Sequence, residues 1–80
     1  MTFYIQKEII ERLETDVRFR GGLAFAMGVV DRAIYNFLLK YKEKPFPNSN
    51  LTKKAALEYF KTEGYNEDQV LTENMPALTS

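Results

Sequence analysis

Between Arg20 and Leu39 the chain reads RGGLAFAMGVVDRAIYNFLL, and no other stretch leaves it so few ways to fold. Two runs with apolar residues at helical spacing meet at Gly28. A glycine there can end the first helix in the left-handed conformation, which costs any residue with a Cβ about 1 kcal/mol or more. Ala24 has to be small because the second helix crosses close over it. Leu23, Met27, Val29, Ile34 and Phe37 then point inward together. The stretch is therefore two helices crossing at a tight turn. Gly21 and Gly22 each lower helix propensity by about 1 kcal/mol relative to Ala, so the first of the two is expected to fray at its beginning.

The flanking segments supply the rest of a core. From Phe3 to Glu14, Ile5, Ile9, Ile10 and Leu13 recur at helical spacing, with Lys7, Glu8, Glu11 and Arg12 on the other face, which predicts an amphipathic first helix. Thr15 and Asp16 offer caps for the second helix, which starts at Asp16 or nearer Arg20, with Val17 and Phe19 packing beneath it. The third runs from Val30 or Asp31 to Tyr41. Ala33, Ile34, Phe37 and Leu38 face in, and Asp31, Arg32, Tyr35, Asn36 and Leu39 lie on the other face. Pro45 and Pro47 hold KEKPFPNSN extended, with Phe46 as an anchor. A fourth helix spans Thr52 to Glu63, capped by Thr52, burying Ala55, Ala56, Tyr59 and Phe60, and stopped by Gly64. The NEDQ sequence at Asn66–Gln69 has capping-box spacing and opens a short fifth helix through Val70, Leu71 and Thr72. No strand-like alternation occurs. The expected fold is all-α, a compact bundle of four to five short helices in one domain over residues 1–73, followed by a flexible tail, 74–80.

The aromatics Phe3, Phe19, Phe25, Phe37, Phe46, Tyr59 and Phe60 are assigned to the core, and Tyr35 and Tyr41 to more open positions. With no cysteine or histidine, the chain lacks disulfides, thiolate or imidazole metal ligands and the usual nucleophile and base pairs. The carboxylates Glu8, Glu11 and Glu14 sit on a solvated helix face with no phosphate loop near them. No enzyme activity, cofactor, metal or small-molecule substrate is expected. No charged-then-apolar leader and no apolar run of about 18 residues appears, so no membrane partner is expected and a cytoplasmic location is.

The formal net charge is zero, but it is segregated. Residues 1–17 carry two cations and four carboxylates, net −2; residues 18–54 carry eight and two, net +6; residues 55–80 carry one and five, net −4. The positive block coincides with the crossing helices and the connection after them, where duplex phosphates could be neutralised.

LAFAMGV followed by AIYNFL resembles the helix-turn-helix of small Cro-like and repressor-like regulators of phages and bacteria. With Arg20 counted as first, Ala24 is fifth, Gly28 ninth, Val29 tenth, Ile34 fifteenth and Phe37 eighteenth. At the eleventh position stands Val30 in place of a capping Ser, Thr or Asp, leaving Asp31 as the nearest capping side chain. The resemblance implies sequence-specific binding of duplex DNA by a transcriptional regulator, with the second helix of the unit in the major groove. It implies base-reading by Val30, Asp31, Arg32, Tyr35 and Asn36 and phosphate contacts by Arg18, Arg20, Lys40, Lys42 and Lys44. Asp31 either caps its helix or accepts from cytosine. A homodimer is expected on DNA, with Tyr59, Tyr65, Val70 and Leu71 as the self-contact or, alternatively, as the roof of the core. The alternative function is a protein-binding module, an antirepressor or adaptor, that keeps this shape without DNA.

Overall fold

The periodicity that predicts a helix from Phe3 is realised only from Lys7. In the computed structural model, which describes residues 2–76, Tyr4–Ile5 (β1) are extended and α1 spans Lys7–Thr15. β1 pairs antiparallel with Leu71–Thr72 (β2), Tyr4 opposite Thr72 and Ile5 opposite Leu71. The expected fifth helix is correspondingly shorter, with α5 running only from Glu67 to Val70. This small ladder ties the two ends of an otherwise all-α, compact bundle, whose remaining helices are α2, Val17–Met27, α3, Asp31–Glu43, and α4, Lys54–Thr62. Residues 77–80 of the expected tail lie outside the described residues.

The start of α2 is decided by a cap. Asp16 is extended, and its Oδ1 accepts from the Phe19 N–H at 3.1 Å. That bond, followed by Arg12, holds the Asp16 carboxyl below its ordinary range. The helix runs unbroken through Gly21 and Gly22, and packing explains why Gly22 is there. A Cβ on Gly22 would collide with the Tyr59 ring, whose hydroxyl donates to the Phe19 carbonyl at 2.9 Å. The glycine that weakens the isolated helix is what lets α4 lie close against α2.

Gly28 ends α2 at φ 71°, as its position predicts. Its N–H donates to Phe25 O at 3.1 Å and the Val29 N–H to Ala24 O at 2.9 Å, so two carbonyls that helix termination would orphan are satisfied. The Gly64 turn closes α4 in the same way, with Gly64 N–H on Lys61 O and Tyr65 N–H on Phe60 O. Thr52 is not the cap of α4. It ends a 3-10 turn, Asn50–Thr52, its hydroxyl donates to Ser49 O, and Lys53 is the residue before the helix.

The core gathers Ile5, Ile9, Ile10 and Leu13 from the N-terminal part, Phe19, Leu23 and Ala24 from α2, Ile34, Leu38 and Tyr41 from α3, and Leu51, Ala56, Phe60 and Val70. Several residues expected inside are not. Phe25 is 89% exposed and Val17 66%. Phe25 stands two residues after Leu23, about 200° around the helix, so burying Leu23 turns it to solvent. Val29 is partly exposed because it lies beyond the last turn of α2, and Ala33 and Ala55 are on outward faces. Tyr41, expected to be open, is fully buried. Its hydroxyl accepts from the Ile5 N–H at 2.8 Å, a donor at the end of β1 that would otherwise be stranded in the core.

Candidate functional site

The geometry around α3 follows from how its first residue is held. Val30, in the extended conformation, precedes the helix and offers no capping side chain. Asp31 does not take over as a cap. Its carboxylate accepts from Arg20 Nε at 3.0 Å. The same guanidinium donates through Nη1 to the carbonyls of Leu13, at 3.3 Å, and Glu14, at 3.4 Å, which are among the last and unsatisfied ones of α1. It also lies 5.7 Å from the centre of the Tyr35 ring. With only 13% of its side chain exposed, Arg20 is a brace joining the end of α1 to the start of α3. Helices α2 and α3 diverge by 107° across the Gly28–Val30 break.

A second expected phosphate contact, Lys42, is likewise engaged, its ammonium donating to Glu14 Oε2 at 2.8 Å. Arg18, Lys40 and Lys44 are exposed and form no ion pair among the described residues. The expected base-reading residues share one side of the molecule. Val30 is 71% and Tyr35 49% exposed, and Arg32 and Asn36 are exposed one turn apart. Leu39 continues that outward stripe. Asp31 belongs to it by position, but its charge is already answered by Arg20.

Arg12 marks a second cationic knot, on the far side of Phe19. Its guanidinium lies 4.2 Å from the Phe19 ring centre and donates to the Tyr65 hydroxyl at 2.7 Å, the contact that chiefly raises its pKa. Tyr65 is thereby held against the bundle, Tyr59 is held by the bond of its own hydroxyl to the Phe19 carbonyl, and Val70 is buried. All four residues of the expected self-contact pack on the core, Val70 fully buried and Tyr59, Tyr65 and Leu71 partly. Two residues that sequence reasoning missed, Asn48 and Asn50, stand beside Lys40 on a groove along α3. Their only signal was the amide-rich NSN after Pro47.

Among the described residues no single helix is long and apolar enough to cross a membrane. No protein-family model, curated protein or solved structure matches the chain.

Proposed function

We propose that the chain binds duplex DNA as a small, repressor-like transcriptional regulator, with α2 and α3 acting as a helix-turn-helix and α3 laid in the major groove. The observation that carries this reading is the outward face of α3. It presents Arg32 and Asn36 without side-chain partners among the described residues, while the carboxylate at the helix start, Asp31, is paired with Arg20. In this docking mode the N-terminal part of the second helix meets base edges and the preceding helix crosses the backbone. Arg32 suits guanine O6 and N7, Asn36 adenine N6 and N7, and Val30 a thymine methyl. Arg18, Lys40 and Lys44 supply backbone contacts, and pairing of Asp31 removes most of the repulsion a bare carboxylate would bring to phosphates. One short reading helix spans few base pairs, so two copies on a palindromic site are part of the proposal.

The test is titration of mixed-sequence duplex at low and moderate salt. Binding that weakens as salt rises supports the reading, and no binding at low salt overturns it. The second reading, a protein-binding module, is favoured by Phe25, which is 89% exposed on α2 with no role in the core. Phe25→Ser separates the two: it leaves duplex binding intact under the first and abolishes partner capture under the second.

A further inference from the structure

The outer side of α2 is apolar, where those of α1, α3 and α4 carry charges such as Glu8, Arg32 and Glu58. The helix, VRFRGGLAFAM, holds no carboxylate, and Asp31 and the end of α1 engage its Arg20, which leaves Arg18. A helix that is apolar all round is ordinarily covered on every side. Here Phe25 is 89% exposed and Val17 66%. They stand four residues to either side of Gly21, so the three share one face, each end about 6 Å from the glycine along the axis.

Gly21 serves no packing purpose within the chain. A Cβ there meets nothing within 4 Å, whereas one on Gly22 collides with Tyr59. Alanine at position 21 would favour the helix and disturb no neighbour. A glycine in the middle of an exposed apolar face does, however, let a second helix approach closely.

We propose that this face is a contact between two copies of the chain, their α2 helices crossing antiparallel about a twofold axis at Gly21. Such a crossing is self-complementary. Phe25 of each copy comes level with the partner's Val17, so one operation covers both exposed side chains. Arg18, which forms no ion pair among the described residues, comes level with the last turn of the partner's helix. That turn carries no basic residue, and the helix dipole there is negative. Parallel pairing would instead set the two Arg18 side chains against each other. Phe25 and Val17 together expose about 300 Å² per copy, against about 800 Å² per partner in a stable interface of standard size. The dimer is therefore weak and reversible, half formed at about 100 μM.

The inference does not rest on the DNA-binding reading, and its test contains no duplex, so its failure leaves that reading untouched. Sedimentation equilibrium is measured at loading concentrations from about 10 μM to about 1 mM, with thermal melting to verify folding. The wild-type chain should pass from monomer to dimer across this range. Phe25→Ser should weaken association by about tenfold or more. Gly21→Leu is the more discriminating variant. It adds apolar surface in open space and should raise the melting temperature, yet it should also weaken association by about tenfold or more, because it holds the helices apart. Leu39→Ser, on the outward face of α3, should leave association unchanged. A wild-type chain that stays monomeric overturns the proposal, as does growth beyond the dimer, which a closed twofold contact forbids. Association of Gly21→Leu as tight as wild type, or tighter, would mean unspecific adhesion and overturns the crossing. An equal loss in Leu39→Ser would move the contact to α3 and overturn it as well. Should Gly21→Leu fail to fold, the contrast between Phe25→Ser and Leu39→Ser decides.

Discussion

Tyr41 and Tyr35 stand on opposite faces of the same helix and have opposite surroundings. The inner face of α3, Ile34, Leu38 and Tyr41, is at most 3% exposed, and the Tyr41 hydroxyl is bonded to Ile5. Its ring is within 5.5 Å of Phe37 and 5.3 Å of Phe46, centre to centre. The outer face holds Arg32, Tyr35, Asn36 and Leu39, with Tyr35 and Leu39 about half exposed. Residues of similar chemistry therefore contribute to stability on one side and remain available on the other. Phase around the helix, not residue type, separates the two roles.

The largest expected consequence is on the inner face. Leu38→Ala should lower unfolding free energy by about 2–5 kcal/mol, as a buried leucine truncation that leaves a cavity does, measured by urea denaturation. A loss below about 0.5 kcal/mol would mean that this face is not the core. Tyr41→Phe should cost about 1–3 kcal/mol, because the buried Ile5 N–H loses its acceptor. It also has a pH signature. Burial raises the Tyr41 pKa, so the folded chain holds this proton more tightly than the unfolded one does. The resulting stability is fully present below about pH 10 and declines as pH rises through the folded value, and this part of the decline should be absent in Tyr41→Phe. On the outer face Arg32→Ala should change stability by less than about 0.5 kcal/mol. The same change should relax base preference at one position by about 1–3 kcal/mol, whereas Lys44→Ala should weaken all sequences equally. Equal losses on every sequence from both would remove the distinction between reading and gripping.

The helical bundle was legible because its signals are local. Gly28 announces the end of α2, Gly64 the end of α4, and the spacing of Ile9, Leu13, Leu23, Ile34 and Leu38 marks the buried stripes. Tyr41 could have been found in the same way, since it follows Ile34 by seven positions and returns to nearly the same side. The same arithmetic turns Phe25 outward, since it lies about 200° around the helix from the buried Leu23. The β1 and β2 pairing could not be read, because strands of two residues at opposite ends of the chain leave no periodicity. At the candidate site, which side of α3 faces out follows from the sequence, but the engagement of Arg20 and Lys42 does not. Whether a cation is free depends on carboxylates and carbonyls brought beside it by the fold, as Glu14 and Asp31 are here.

The outer face of α3 as a duplex-binding surface is tested most directly by backbone amide shifts of the ¹⁵N-labelled chain during titration with a short duplex at low salt. The account predicts the largest changes at Val30, Arg32, Tyr35 and Asn36, smaller ones at Lys40 and Lys44, and little at Glu67–Val70. Shifts centred on Val17 and Phe25, or no shifts at all, would contradict it.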